Sequence, residues 1–199
     1  MVNALIIALR VLVAFNDRVL RIGRTMAWIS LALMVAVILA QIFFRYVLNN
    51  ALPWPDEAAR FLMLWMTGLI APLAYRHGGF VAIEMVPHAL KGAAAHLLVT
   101  ALLLMSLCVI AVAIRFGWDH TMGFGGNFDS SSLKLPLDLL GLDSVRVKLR
   151  YMYGSLLVCM VLLVPVNLEL LLRHLIGVVQ PDRALPEPEP IDFAVAGSE

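Results

Sequence analysis

This sequence is poor in charge. Only 15% of its 199 residues are Asp, Glu, Lys or Arg, 61% are hydrophobic, and the mean hydropathy is +0.88. Soluble domains carry about 25% charged side chains, so a soluble fold is excluded and a membrane protein is implied. A net charge of +1, with no basic run interleaved with aromatics, gives no footprint for nucleic acid. Cysteine is scarce as well. Cys108 and Cys159 both lie in apolar runs without a CxxC or Cys/His spacing, and read as small packing residues rather than a zinc site or a redox pair. HExxH, GxSxG and Walker-type glycine motifs are missing, and the glycines of "GFGGNF" neither follow a strand nor open a helix. Nothing therefore marks an enzyme, and no catalytic, cofactor-binding or metal-binding residue is assigned. Internal duplication is missing too, which removes the signature of a transporter that builds its whole pathway alone.

What is present is four apolar runs. Thr25 to Phe44, Gly92 to Ile114 and Tyr151 to Leu168 are free of charge and long enough to cross about 30 Å of hydrocarbon. Phe61 to Tyr75 is shorter and contains Gly68 and Pro72. It still reads as a span, because Ala58 and Ala59 extend it and Arg60 and Arg76 can snorkel to the two interfaces. The expected architecture is an all-α integral membrane protein with spans at about 25–48, 56–76, 92–115 and 151–173 inside a membrane domain of 25–179.

An amphipathic interfacial helix is expected over 1–24, where Leu5, Ile6, Leu9, Leu12, Val13 and Leu20 alternate at helical spacing with Arg10, Asp17, Arg21 and Arg24. A cleaved leader fits that pattern less well, since the charges follow an apolar stretch. Gly78 to Lys91 is a second interfacial candidate, with Gly78 and Gly79 ending the preceding helix. The long loop 116–150 reads as flexible at "GFGGNFDSSS", with a short surface helix over Leu135 to Arg150, and the Pro- and acid-rich tail 180–199 reads as disordered. Four crossings place both termini on one side of the bilayer. Arg10, Arg18, Arg21 and Arg24 ahead of the first span favour a cytoplasmic N-terminus.

Chemistry is densest in "FRYVLNNALPWPDEAARFL", residues 44–62. Tyr46 and Trp54 sit where an aromatic belt belongs, Pro53 and Pro55 stop helix across the turn, and Asp56 and Glu57 fall in the first turn of the next helix, where its dipole favours negative charge. Glu57 and Arg60 can pair on one face, and Arg45 can reach the same carboxylates or a phospholipid phosphate. These residues can fix the depth and angle of two helices, or they can contact a partner or lipid. Ala32, Ala36 and Ala40 recur every fourth residue, a spacing that permits close helix approach, within this chain or against another. Gln41, Ser106 and Asn167 are polar within spans, and Glu169 and Arg173 form a favourable i, i+4 pair. An alternative class is a haem- or quinone-binding anchor of a respiratory complex. It needs two histidines at matched depth on facing helices, and His96 is the one histidine inside an apolar run.

The stretch "FRYVLNNALPWPDEAARFLMLW", the following "YRHGGFVAIEMVP" and, more weakly, "SSSLKLP" resemble the small membrane subunit, of DctQ type, of tripartite ATP-independent periplasmic (TRAP) transporters. The departures are Asp56 where the family commonly has Glu, Phe80 where it has His, Glu84 where it has Asp, and an apparent insertion over Leu137 to Arg150. The resemblance implies a four-helix, non-catalytic subunit of the bacterial inner membrane. It would brace a large DctM-type membrane subunit that moves an organic acid by sodium-coupled secondary transport, fed by a periplasmic solute-binding protein. Na+ is expected in that large partner and no cofactor in this subunit. On the matched motifs, Arg45, Tyr46, Asn49, Trp54, Asp56, Glu57, Arg60, Gly78 and Gly79 become structural or interface residues.

Overall fold

The computed structural model describes residues 2–50, 52–78, 93–135, 145–180 and 186. Four helices among them are long and apolar enough to cross a membrane: α1 (Val2–Tyr46), α2 (Pro55–Arg76), α3 (Ala93–Met122) and α4 (Arg150–Val179). They alternate in direction, so the N-terminus of α1 and the C-terminus of α4 share one end of the bundle. We call this the terminal end, and the opposite one the loop end. α1 packs on α2, α2 on α4 and α4 on α3, and the first half of α1 reaches α4 as well.

Two glycines permit the close packing of α2. A Cβ on Gly68 would stand 2.7 Å from the Ser155 carbonyl oxygen of α4, and one on Gly23 would stand 3.4 Å from the Leu69 carbonyl oxygen. Small residues let helices approach where lipid removes the hydrophobic drive between them. Hydroxyls along the spans are satisfied locally: Thr25, Thr67, Thr100 and Thr121 each donate to the carbonyl four residues back.

α1 departs from the expected division at residue 24. It is one unbroken helix, about 67 Å long, with no interruption between 1–24 and the first span. Its buried positions explain why. Ile6, Leu9, Val13, Asn16, Leu20, Gly23 and Ala27 alternate at three and four residues, the spacing of a coiled-coil seam, and all are buried. Ile6, Leu9 and Val13 form a core with Ile176, against which Leu172 packs. The apolar set that suggested a membrane-surface anchor is in large part a packing face for α4. Ile7, Val11, Phe15 and Ile22 remain exposed on the other side.

The connection at the loop end is more ordered than expected. A 3-10 turn (Phe124–Asn127) leads into an antiparallel pair, β1 (Asp129–Leu135) and β2 (Val145–Lys148), in register Lys134 with Arg146 and Leu135 with Val145. Part of the segment expected to hold a surface helix is thus a strand. Gly79 and the rest of the Gly78 to Lys91 candidate lie outside the described residues, as do 136–144 and all of the tail except Gln180 and Pro186. Cys159 is buried beside Gly68 as expected, whereas Cys108 faces outward, so only one of the two is a core residue.

Candidate functional site

At the terminal end the charge-free runs of α1, α2 and α4 stop at Thr25, Tyr75 and Leu168, and the charged residues beyond them converge. Glu169 is fully buried and Arg76 nearly so. Arg76 Nη2 donates to Glu169 Oε1 at 3.0 Å, and Arg76 Nε lies 3.2 Å from Oε1 and 2.9 Å from Oε2. Arg76 Nη1 donates to Asp17 Oδ1 of α1 at 2.5 Å. Arg173, one turn along α4, adds Nε at 3.0 Å and Nη2 at 2.8 Å from Glu169 Oε1. Asn16 Nδ2 completes the shell, donating to Glu169 Oε2 at 2.6 Å and to the Pro165 carbonyl at 3.2 Å.

The arrangement balances two carboxylates against two guanidiniums and closes three helices at one level. Burying an unpaired charge costs several kcal/mol, so the set is stable only when complete. Asn16 is the one polar side chain in the seam of α1, and a polar residue at such a position fixes register. His77, just past α2, has its pKa lowered below 6.5, first by desolvation and then by the Arg76 charge, with Glu169 and Asp17 pulling the other way.

Arg76 therefore does not snorkel to the interface, as its place at the end of a span suggested. An inward carboxylate at α4 and another at α1 outweigh the short reach to solvent. The expected Glu169–Arg173 pair is present, but as one edge of this larger network. The buried Arg76 and Glu169 are thus paired with each other and with Asp17 and Arg173. Above the clamp, Asn167 Nδ2 donates to Tyr75 Oη at 3.2 Å, and Tyr75 Oη lies 3.4 Å from Ser106 Oγ, tying α2, α3 and α4.

The turn at the loop end places most of the sequence-predicted set. Asn49 takes a left-handed conformation with φ 50°, and Pro55 occupies the first turn of α2 while the Trp54 carbonyl accepts from Ala58 N–H. Arg45 Cζ lies 5.9 Å from the ring centroid of its neighbour Tyr46, rather than over the carboxylates. Asp56 and Arg60 are exposed, and Glu57 is half-buried. Trp54, Tyr46, Trp118, Tyr151 and Tyr153 are exposed at this level, as an aromatic belt requires. Gly78 ends α2 at φ 74°, the left-handed position that favours glycine.

On α1, Ala32 and Ala36 are exposed and Ala40 partly so, which settles their direction: they face away from this chain's own helices. His96 does meet a histidine, His174 on α4, with ring centroids 5.6 Å apart. A haem site would need both ring nitrogens aimed at a shared iron. Here Nε2 of His174 lies 3.1 Å from the carbonyl oxygen of His96 instead.

Comparison with family models gives one assignment: residues 34–177, well over half of the chain, match the DctQ component of tripartite ATP-independent periplasmic transporters. The chain belongs to the DctQ family. It is thus a membrane component of a transporter family rather than of an enzyme family, with four helices suited to spanning the bilayer. No curated protein matches it. The matched DctQ region contains both the loop-end turn and the Arg76 and Glu169 halves of the clamp, while Asp17 and Asn16 precede it.

Proposed function

We propose that this DctQ chain is the small permease subunit of a TRAP transporter and acts as a static brace for a larger, sodium-coupled membrane subunit. That partner would import an organic acid delivered by a periplasmic solute-binding protein. The observation that carries the reading is the outward alanine face of α1. Ala32 and Ala36 are exposed, on a helix whose inward seam is buried and whose Asn16 and Asp17 are held by the clamp. Small residues turned outward offer another helix close approach, and a clamp with every charge paired favours a rigid part over a moving one. The N-terminus of α1 and the C-terminus of α4 lie at the clamp end, and the arginines of α1 favour placing that end in the cytoplasm.

A tagged chain expressed with its genomic neighbours should bring down a larger membrane protein. Ala36→Trp should reduce that recovery about tenfold, about 1.4 kcal/mol of association, with the melting temperature of the lone chain unchanged. Equal recovery by the variant removes the alanine face from the interface. Uptake of solute into vesicles holding this chain alone would overturn the brace itself.

A further inference from the structure

A second surface of α1 is separate from the alanine face. Beside the close approach at Gly23, α1 and α2 leave a groove of about 380 Å³, walled by Trp28 and Leu31 on one side and Met66, Ile70 and Ala74 on the other. The lining is apolar except at one point, where Arg24 stands at the terminal end. Arg24 is also where the charge-free run of α1 begins, so the groove lies at hydrocarbon depth and its single cation at the headgroup rim. Among the described residues no carboxylate pairs with Arg24, while Asp17 and Glu169 engage Arg76 and Arg173. Trp28 is largely exposed one turn further in, at a depth where indole rings collect.

We propose that the groove seats an acyl chain of an anionic phospholipid, whose phosphate is held by Arg24. Charge sign and depth coincide as a lipid requires: one positive donor at the interface, and an apolar slot running from it into the membrane. A slot of this volume suits a string of methylenes better than a helix about 10 Å across. A partner helix has its own approach at Ala32 and Ala36, roughly a third of a turn around α1, so both surfaces can be occupied together. The proposal concerns the lone chain and stands whether or not a larger subunit is found.

The test is native mass spectrometry of the full chain released from bilayers of equimolar phosphatidylglycerol and phosphatidylcholine. The wild type should retain one phosphatidylglycerol, preferred about tenfold over phosphatidylcholine. Ala74→Trp, at an exposed position that fills the groove, should lose the retained lipid by tenfold or more. Arg24→Gln should keep a lipid while losing the headgroup preference, and this variant leaves the walls intact should the first one fold poorly. Retention of phosphatidylglycerol by a folded Ala74→Trp, or an unchanged preference in Arg24→Gln, overturns the proposal. So does a crosslink from Ala74→Cys to a larger membrane protein in native membranes whose purified complex carries no phosphatidylglycerol.

Discussion

The two ends of this bundle hold the same helices together by different means. At the loop end the connection between α1 and α2 is short and local: a left-handed Asn49, a proline in the first turn and a belt of exposed aromatics. At the terminal end the tie is long-range. Glu169 binds partners 93 and 153 residues away, and Arg76 reaches 59 residues back to Asp17. Local devices are individually weak and mutually replaceable, each contributing about 0.3 to 1 kcal/mol. A buried charge network is cooperative, because removing one member strands the others. The ends should accordingly differ in how they fail.

The largest effect is expected at Glu169. Glu169→Ala leaves Arg76 and Arg173 without their shared carboxylate, a loss of about 3 to 5 kcal/mol for a broken buried pair. For a chain of this size that lowers the melting temperature in detergent by roughly 6 to 20 °C. The double variant Arg76→Met with Glu169→Leu should recover most of it, since a well-packed apolar pair can replace a buried ion pair. A melting curve for Glu169→Ala within a degree or two of wild type would reduce the clamp to a surface ion pair.

Next come the contacts that set helix approach and register. Gly68→Ala places a Cβ where the Ser155 carbonyl oxygen leaves 2.7 Å, forcing α2 and α4 apart at a cost of about 1 to 3 kcal/mol. Asn16→Leu removes a donor to a buried carboxylate, also costing about 1.5 to 3 kcal/mol. Because Asn16 and Arg76 share Glu169, a double-mutant cycle between them should show coupling above about 0.5 kcal/mol. Strict additivity would mean that the two donors act separately. Smaller still is the loop end: Arg45→Ala should change stability by less than about 1 kcal/mol, given its cation–π contact at an exposed site. Within the proposed brace, its effect should appear in recovery of the larger subunit and not in substrate preference.

The sequence spoke clearly where the physics is local. Charge-free runs locate the spans, Pro55 and Gly78 mark the limits of α2, and Glu169 with Arg173 is an i, i+4 pair on a single helix. The inward turn of Arg76 is not legible in the sequence, because a snorkelling arginine and one turned to a buried acid have the same sequence neighbours; only the fold brings Asp17 and Glu169 to it. The α1 seam left a legible signal, the three-four alternation from Ile6 to Ala27 with Asn16 inside it. A surface-lying helix and a packed one share that period, and the polar residue at Asn16 is what separates them. The direction of Ala32 and Ala36 was not readable, since a stripe of small residues looks alike from either side.

The smallest predicted effect, and the one that probes the terminal end without cutting it, is the titration of His77. Desolvation and the Arg76 charge hold its folded pKa below the ordinary 6.5. The unfolded chain therefore binds more protons between those two values, and stability must fall as pH drops through that window and level off below it. Melting temperatures should be flat above pH 7 and decline modestly toward pH 5, with a shallower decline in His77→Gln. A slope unchanged by that substitution would place the acid sensitivity elsewhere, whereas a steeper slope in the wild type than in the variant assigns it to His77, held neutral first by burial and then by the neighbouring Arg76.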